Sequence, residues 1–212
     1  LCYQLPPLLS QTTDIVVSPL VSLMKDQVDA LDSIGYPAAT IHSGLSPEQR
    51  RRTYKKLQSG NLRLLFVAPE RLFNSNLVDT LSQLPIQRFA IDEAHCISQW
   101  GHDFRPEYRQ LSVLRDHFPQ ASFHAYTATA TPHVRKDIAE QLHLKKPEIL
   151  VGTFDRPNLT YRVIQRADRK AQILEILGRH SKEASIVYCN SRRETERLAK
   201  NLTASGLLAS PY

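Results

Sequence analysis

The chain has little cysteine: Cys2, Cys96 and Cys189 are its three, far apart and with no CxxC pair. That excludes a disulfide framework and a cysteine-based zinc site, and it fits a reducing compartment. No uninterrupted apolar run is long enough to cross a bilayer, and no secretory or transit signal is evident, so no membrane partner is expected. Internal repeats and low-complexity stretches are lacking as well. What remains is a 212-residue chain with 42% hydrophobic content, enough for a substantial core. Its net charge of +6 is uneven: residues 154–212 hold 11 Lys+Arg against 6 Asp+Glu, net +5, leaving 16 against 15, net +1, for residues 1–153. A basic second segment suits phosphate tracking, although a solvated helix face would read the same way.

Apolar runs predict strands near 14–18, 38–41, 63–67, 87–91, 122–126, 149–151, 160–164 and 185–189. Helical periodicity falls between them, near 20–34, 47–58, 75–83, 107–117, 132–142, 168–179 and 192–205. The stripe Leu20, Leu23, Met24, Val28, Leu31 and Ile34 is expected to be core. Alternating βα units imply an α/β protein with a parallel sheet flanked by helices. A break at GTFDRPN, residues 152–158, divides the chain into two parts, 1–153 and 154–212.

The stretch QRFAIDEAHCISQWGHDF, residues 87–104, carries the most chemistry. Ligands of open parallel sheets collect beyond the carboxyl ends of the strands, so Asp92 and Glu93 are placed for a magnesium-bound nucleoside triphosphate. Asp92 is the magnesium candidate, and Glu93 suits positioning or deprotonating an attacking water. His95 is a candidate coupler. The bland alternative is that both acids cap a helix. Trp100 and Phe104, in the loop that follows, suit single-stranded nucleic acid, with a core anchor as the alternative for Trp100. Thr127 and Thr129, after the strand SFHAY, could hydrogen-bond the acid cluster, or could simply end a strand before a helix capped by Thr131. Ser18, at a strand–helix junction, is placed to meet a DNA phosphate. RLLFVAPERL repeats that arrangement, with Glu70 and Arg71 opening a helix. The basic helix bearing Arg50, Arg51, Arg52, Lys55 and Lys56 is read as a wet surface rather than a DNA contact. HSGLS before it receives no role.

Taken together, these strings resemble the RecQ family of superfamily 2 DNA helicases, essentially end to end. LCYQLP is similar to the continuation of a phosphate-binding loop, VVSPLVSLMKDQV to motif Ia, FVAPERL to motif Ib and DEAH to motif II. CISQWGHDFRPEY resembles the aromatic-rich loop of that family, TATAT motif III, and FDRPNL with IVYCNSRRETERLA the entry to a second motor domain and motif IV. The resemblance implies a RecA-like helicase fold with residues 1–153 as the first motor domain and 154–212 as the start of the second. It implies an ATP- and Mg2+-dependent motor, moving 3′ to 5′ on single-stranded and partly duplex DNA in recombination and repair. It assigns Asp92 to magnesium and Glu93 and His95 to catalysis. Ser18, Arg71, Gln99, Trp100, Phe104, Arg105, Asn190, Ser191 and Arg192 fall to DNA, and Thr127 and Thr129 to coupling. A cytoplasmic, nucleoid-associated or nuclear location is implied too.

Two departures accompany the resemblance. The chain opens at Leu1, where the glycine-lysine-serine part of a Walker A loop is expected to have finished, and it stops at LLASPY, before motifs expected to supply arginine fingers. The expectation is therefore a motor fragment without useful ATP turnover, with a first sheet missing its centre and marginal, exposed cores. The rival readings are a non-catalytic DNA-binding module, an RNA helicase of the DEAH or DEAD type, and a scaffold with decayed motifs.

Overall fold

The computed structural model describes residues 2–73, 76–153 and 156–212. The chain divides into two compact units, Leu1–Leu150 and Val151–Tyr212. In the first, the elements run α1 (Leu5–Ser10), β1 (Thr13–Val17), α2 (Val21–Ser33), β2 (Ala38–Ile41), α3 (Pro47–Gln58), β3 (Leu64–Val67), α4 (Pro69–Phe73), α5 (Leu77–Ser82) and β4 (Ile86–Ile91). A 3-10 turn at Ala94–Ile97 follows, then α6 (Pro106–Arg109), a second 3-10 turn at Gln110–Val113, α7 (Leu114–His117), β5 (Ser122–Ala125) and α8 (Pro132–Gln141). The second unit contains α9 (Arg169–Arg179) and α10 (Arg192–Ala204).

The five strands form one parallel sheet in the order β2-β3-β1-β4-β5. β1 and β3 are buried along their whole length, as expected of strands covered on both faces. One face packs Ile15, Val17, Leu65, Val67, Phe89 and Ile91 against the helices that include Leu57, Leu72, Tyr108 and Ile138, and the other packs Val16, Leu64 and Phe66 against Met24 and Leu31. The expected missing sheet centre is thus corrected: β1 pairs with β3 on one side and β4 on the other, and both faces of the sheet have cores.

Register aligns the strand ends. Val17 is level with Val67 and Ile91, Ile91 with Ala125, and Val67 with Ile41. The ladder continues one residue further, with Ser18, Ala68, Asp92 and Tyr126 donating their amides to Val67, Ile41, Val17 and Ile91. Residues after five strands are thereby gathered at one end.

Several local expectations change. In the stripe on α2, Met24 and Leu31 are buried, but Leu20 and Ile34 are exposed. The helix expected at 107–117 is broken into α6, a 3-10 turn and α7. Among the described residues the strands expected at 149–151, where the two units meet in sequence, and at 160–164 and 185–189 in the second unit do not form, and Val163, Ile186 and Tyr188 are exposed. A strand needs a ladder partner and a covered face, and the two helices of this unit supply no ladder. Ser191 caps α10 by accepting the Glu194 amide, and Glu194 pairs with Arg169. The first residue expected of the helix at 75–83, and Phe154 and Asp155 of the linker, lie outside the described residues.

Candidate nucleotide and nucleic-acid site

Asp92 follows the buried end of β4, and its position is fixed before its side chain does anything. Its amide bonds the Val17 carbonyl, and its own carbonyl accepts the hydroxyl of the buried Tyr108 at 3.0 Å. The carboxylate accepts the Ser18 hydroxyl at 3.3 Å and is also hydrogen-bonded by the Glu93 amide. Burial, and then the charge of Glu93, push the Asp92 carboxyl above the usual carboxylate range. Ser18 itself is 0% exposed. The phosphate contact read for Ser18 is therefore corrected: its hydroxyl is enclosed and directed at Asp92, so it orients the acid instead of facing solvent.

Glu93 sits in the left-handed region, φ 47 and ψ 45, an uncommon conformation for a side chain of this size. The kink turns the chain into the 3-10 turn and sends the Ala94 amide to the Tyr126 carbonyl at 2.9 Å. It also returns the Glu93 carboxylate toward His95, with Oε2 3.2 Å from Nδ1. The same Nδ1 lies 2.9 Å from the Thr127 hydroxyl. A proton on Nδ1 serves both oxygens, since an ionised carboxylate only accepts. His95 is 4% exposed, and burial followed by the neighbouring His102 lowers its pKa. Thr127 therefore meets His95 rather than the acids, while Thr129 supports Thr127, its amide donating to the Thr127 hydroxyl oxygen at 3.2 Å.

The aromatic loop starts one residue beyond the 3-10 turn. Ser98 is buried and organises it: the Trp100 amide donates to Ser98 Oγ at 3.2 Å and the Gly101 amide to the Ser98 carbonyl at 3.0 Å. Gly101 is required by close approach, since a Cβ there would stand 2.4 Å from the His95 carbonyl oxygen. The next residue, His102, stacks on His95 with ring centroids 4.1 Å apart. Gln99 is exposed, and Trp100 is 72% exposed, so the core-anchor alternative fails. Phe104 is half-buried beneath the Arg109 guanidinium at 5.4 Å. Arg105 spans the loop, bonding Asp103 at 3.0 Å and the Pro19 carbonyl at 3.2 Å, which joins the loop to the start of the segment carrying α2. Cys96, buried beneath this network, has its thiol pushed up to about 11 by burial, which disfavours the thiolate.

Of the remaining expected residues, Arg71 is half-buried on α4, one residue beyond Glu70. Asn190, Ser191 and Arg192 belong to the second unit, where all three are exposed at the start of α10. Sequence reasoning missed Tyr108, His102 and His133. Tyr108 and His102 lie inside the CISQWGHDFRPEY string, but their partners Asp92 and His95 are visible only in the fold. Among the described residues no group of three or more His, Cys, Asp or Glu is arranged to hold a metal ion, and no helix is long and apolar enough to cross a membrane.

A sequence model of the DEAD/DEAH box helicases matches residues 1–138. The whole chain aligns at 44% identity with the ATP-dependent DNA helicase RecQ of Pasteurella multocida, covering 34% of that protein. It aligns at 42% with the RecQ of Bacillus subtilis, covering 36%, and at 41% with the RecQ-like DNA helicase BLM of Xenopus laevis, covering 16%. The chain thus spans about a third of the length of the bacterial relatives it matches. Among solved structures, the DUF1998 helicase MrfA matches 97% of this chain and 34% of its own with a TM-score of 0.66 and 20% identity, a likeness of fold.

Proposed function

We propose that this chain, which belongs to the DEAD/DEAH box helicase family and within it to the RecQ DNA helicases, forms part of an ATP-driven motor that travels 3′ to 5′ along one DNA strand and displaces the other in recombination and repair. Residues 1–153 act as the first RecA-like motor domain, and 154–212 as the beginning of the second. Such a motor works where DNA is kept, in a nucleoid or a nucleus.

The observation that carries the reading is the short rigid path from acid to indole. Asp92 and Glu93 stand at the sheet's carboxyl end, His95 packs directly behind Glu93, and the stacked His102 lies in the same loop as the exposed Trp100. The donors at Asp92 are hard oxygens, and a carboxylate desolvated beside a second acid is relieved by a divalent cation, so the site fits magnesium. Asp92 would hold the ion, which, bound with ATP, neutralises charge on the phosphates. Glu93 orients the attacking water and takes its proton. His95, fixed by Thr127 and Glu93, transmits loop position to Glu93, with Thr129 as support. Ser18 keeps Asp92 in register.

Gln99, Trp100, Phe104 and Arg105 meet single-stranded or partly duplex DNA, Trp100 by stacking and Arg105 by charge. Arg71, Asn190, Ser191 and Arg192 add polar contacts to the backbone. The test uses the protein that contains this chain: ATP hydrolysis stimulated by single-stranded DNA and abolished by Glu93→Gln is expected. Stimulation by RNA but not DNA, or turnover indifferent to Glu93→Gln, overturns the reading.

A further inference from the structure

We infer that His133 is a positioning residue for Trp100: from the first turn of α8 it braces the indole and leaves one ring face open to a nucleic-acid base. The rings lie 5.3 Å apart at 71°, an edge-on contact that supports an aromatic ring from one side. Trp100 nevertheless remains 72% exposed. A large apolar ring that is both exposed and held is arranged to receive something flat.

Each side of the contact has a fixed base. The backbone of Trp100 is tied to Ser98 through its amide, and the neighbouring Gly101 is tied to Ser98 and lies against the His95 carbonyl. The indole still has its own two side-chain rotations, which the backbone does not restrain. His133 does restrain them, and it stands on a rigid platform: Thr131 caps α8 by accepting the Val134 amide at 3.3 Å, Pro132 opens the helix, and Val134 and Ile138 are buried in the core. Ordering the indole before a base arrives removes an entropic cost from stacking. The contact also gives the aromatic loop a second attachment to the segment that supplies Thr127 to His95, since α8 begins five residues after Thr127. This role rests on the proposed DNA contact of Trp100, but the brace itself is a property of the free protein.

Trp100 is the chain's single tryptophan, so its emission reports on this contact without labelling. In the 212-residue chain, His133→Ala and His133→Gln should lower the fluorescence anisotropy of Trp100 in the absence of DNA. They should also weaken oligothymidylate binding, read as quenching of the same emission, by roughly two- to tenfold. His133→Phe, which restores a ring, should recover both. Unchanged anisotropy in the ringless variants overturns the brace, as does oligothymidylate binding that is unchanged or tighter. If oligothymidylate leaves wild-type emission untouched, the DNA reading of Trp100 fails instead, and the anisotropy comparison still decides the brace.

Discussion

The two ends of the same pair of strands each carry an aspartate, buried at Asp14 and half-buried at Asp92, and they are treated in opposite ways. Asp14, near the start of β1, receives the Arg88 Nε at 2.5 Å, and Arg88 in turn reaches Ser10 and Thr12. Asp92, just past the end of β4, receives the Ser18 hydroxyl, and its nearest strong electrostatic influence is a second acid, Glu93. Burial raises the pKa of both. At Asp14 the arginine counters that rise from within the fold, whereas at Asp92 the neighbouring charge adds to it. The difference separates an acid neutralised within the fold from one left without a cationic partner, as the proposed magnesium role of Asp92 requires.

Breaking the amino-terminal clasp should have the largest effect. Arg88→Ala leaves Asp14, 3% exposed at its side chain, without its cation, and a loss of about 3–5 kcal/mol in urea unfolding is expected. A loss below about 1 kcal/mol would make the two aspartates alike.

Neutralising each acid sharpens the contrast. Asp14→Asn should destabilise by no more than about 1 kcal/mol, because Arg88 loses a charged partner while the cost of a buried carboxylate is removed. Asp92→Asn should leave stability unchanged or raise it by up to about 1 kcal/mol, because repulsion from Glu93 and the cost of a partly desolvated charge disappear together. Stability traded in this way is the mark of a functional position.

The smallest effect is that of pH. Burial lowers the pKa of His42, His95 and His124 from the ordinary 6.5, so the unfolded chain binds more protons just below that value. Their contribution to stability is present above pH 6.5 and is lost as pH falls through their folded-state values. The raised Asp14 and Asp92 act in the opposite sense, stabilising below 3.8 and losing that contribution as pH rises through their folded-state values. Melting temperature should therefore fall between pH 7.5 and pH 5.5, and less steeply in His95→Gln. A rise over that interval would contradict the assigned histidine environments.

Much of the first unit was legible because its strands are continuous apolar runs, such as IVV, LLFV and FAI, whose burial on both faces leaves little choice of structure. Acids directly after such a run mark a carboxyl-end site, and Asp92 and Glu93 stand there. Pairings across long sequence intervals were not legible. Ser18 meets Asp92 from 74 residues away, and nothing local tells an enclosed hydroxyl from one open to a phosphate. His133 meets Trp100 from 33 residues away, and nothing in the sequence around His133 marks it as a partner of the indole. The expected strands of the second unit failed for the opposite reason: apolar runs at 160–164 and 185–189 have the right composition, but a strand is made by its neighbours.

On the proposed function, the carboxyl end of the sheet, and not its amino end, presents the half-buried Asp92 to a metal ion. Manganese, as a paramagnetic substitute for magnesium, tests this in an isotope-labelled sample of the chain. Amide signals of Ser18, Asp92, Glu93 and Ala94 should broaden at the lowest manganese concentrations while those of Asp14 and Arg88 stay sharp, and Asp92→Asn should abolish the difference. Broadening that begins at Asp14, or that spreads evenly over both ends, would contradict the account.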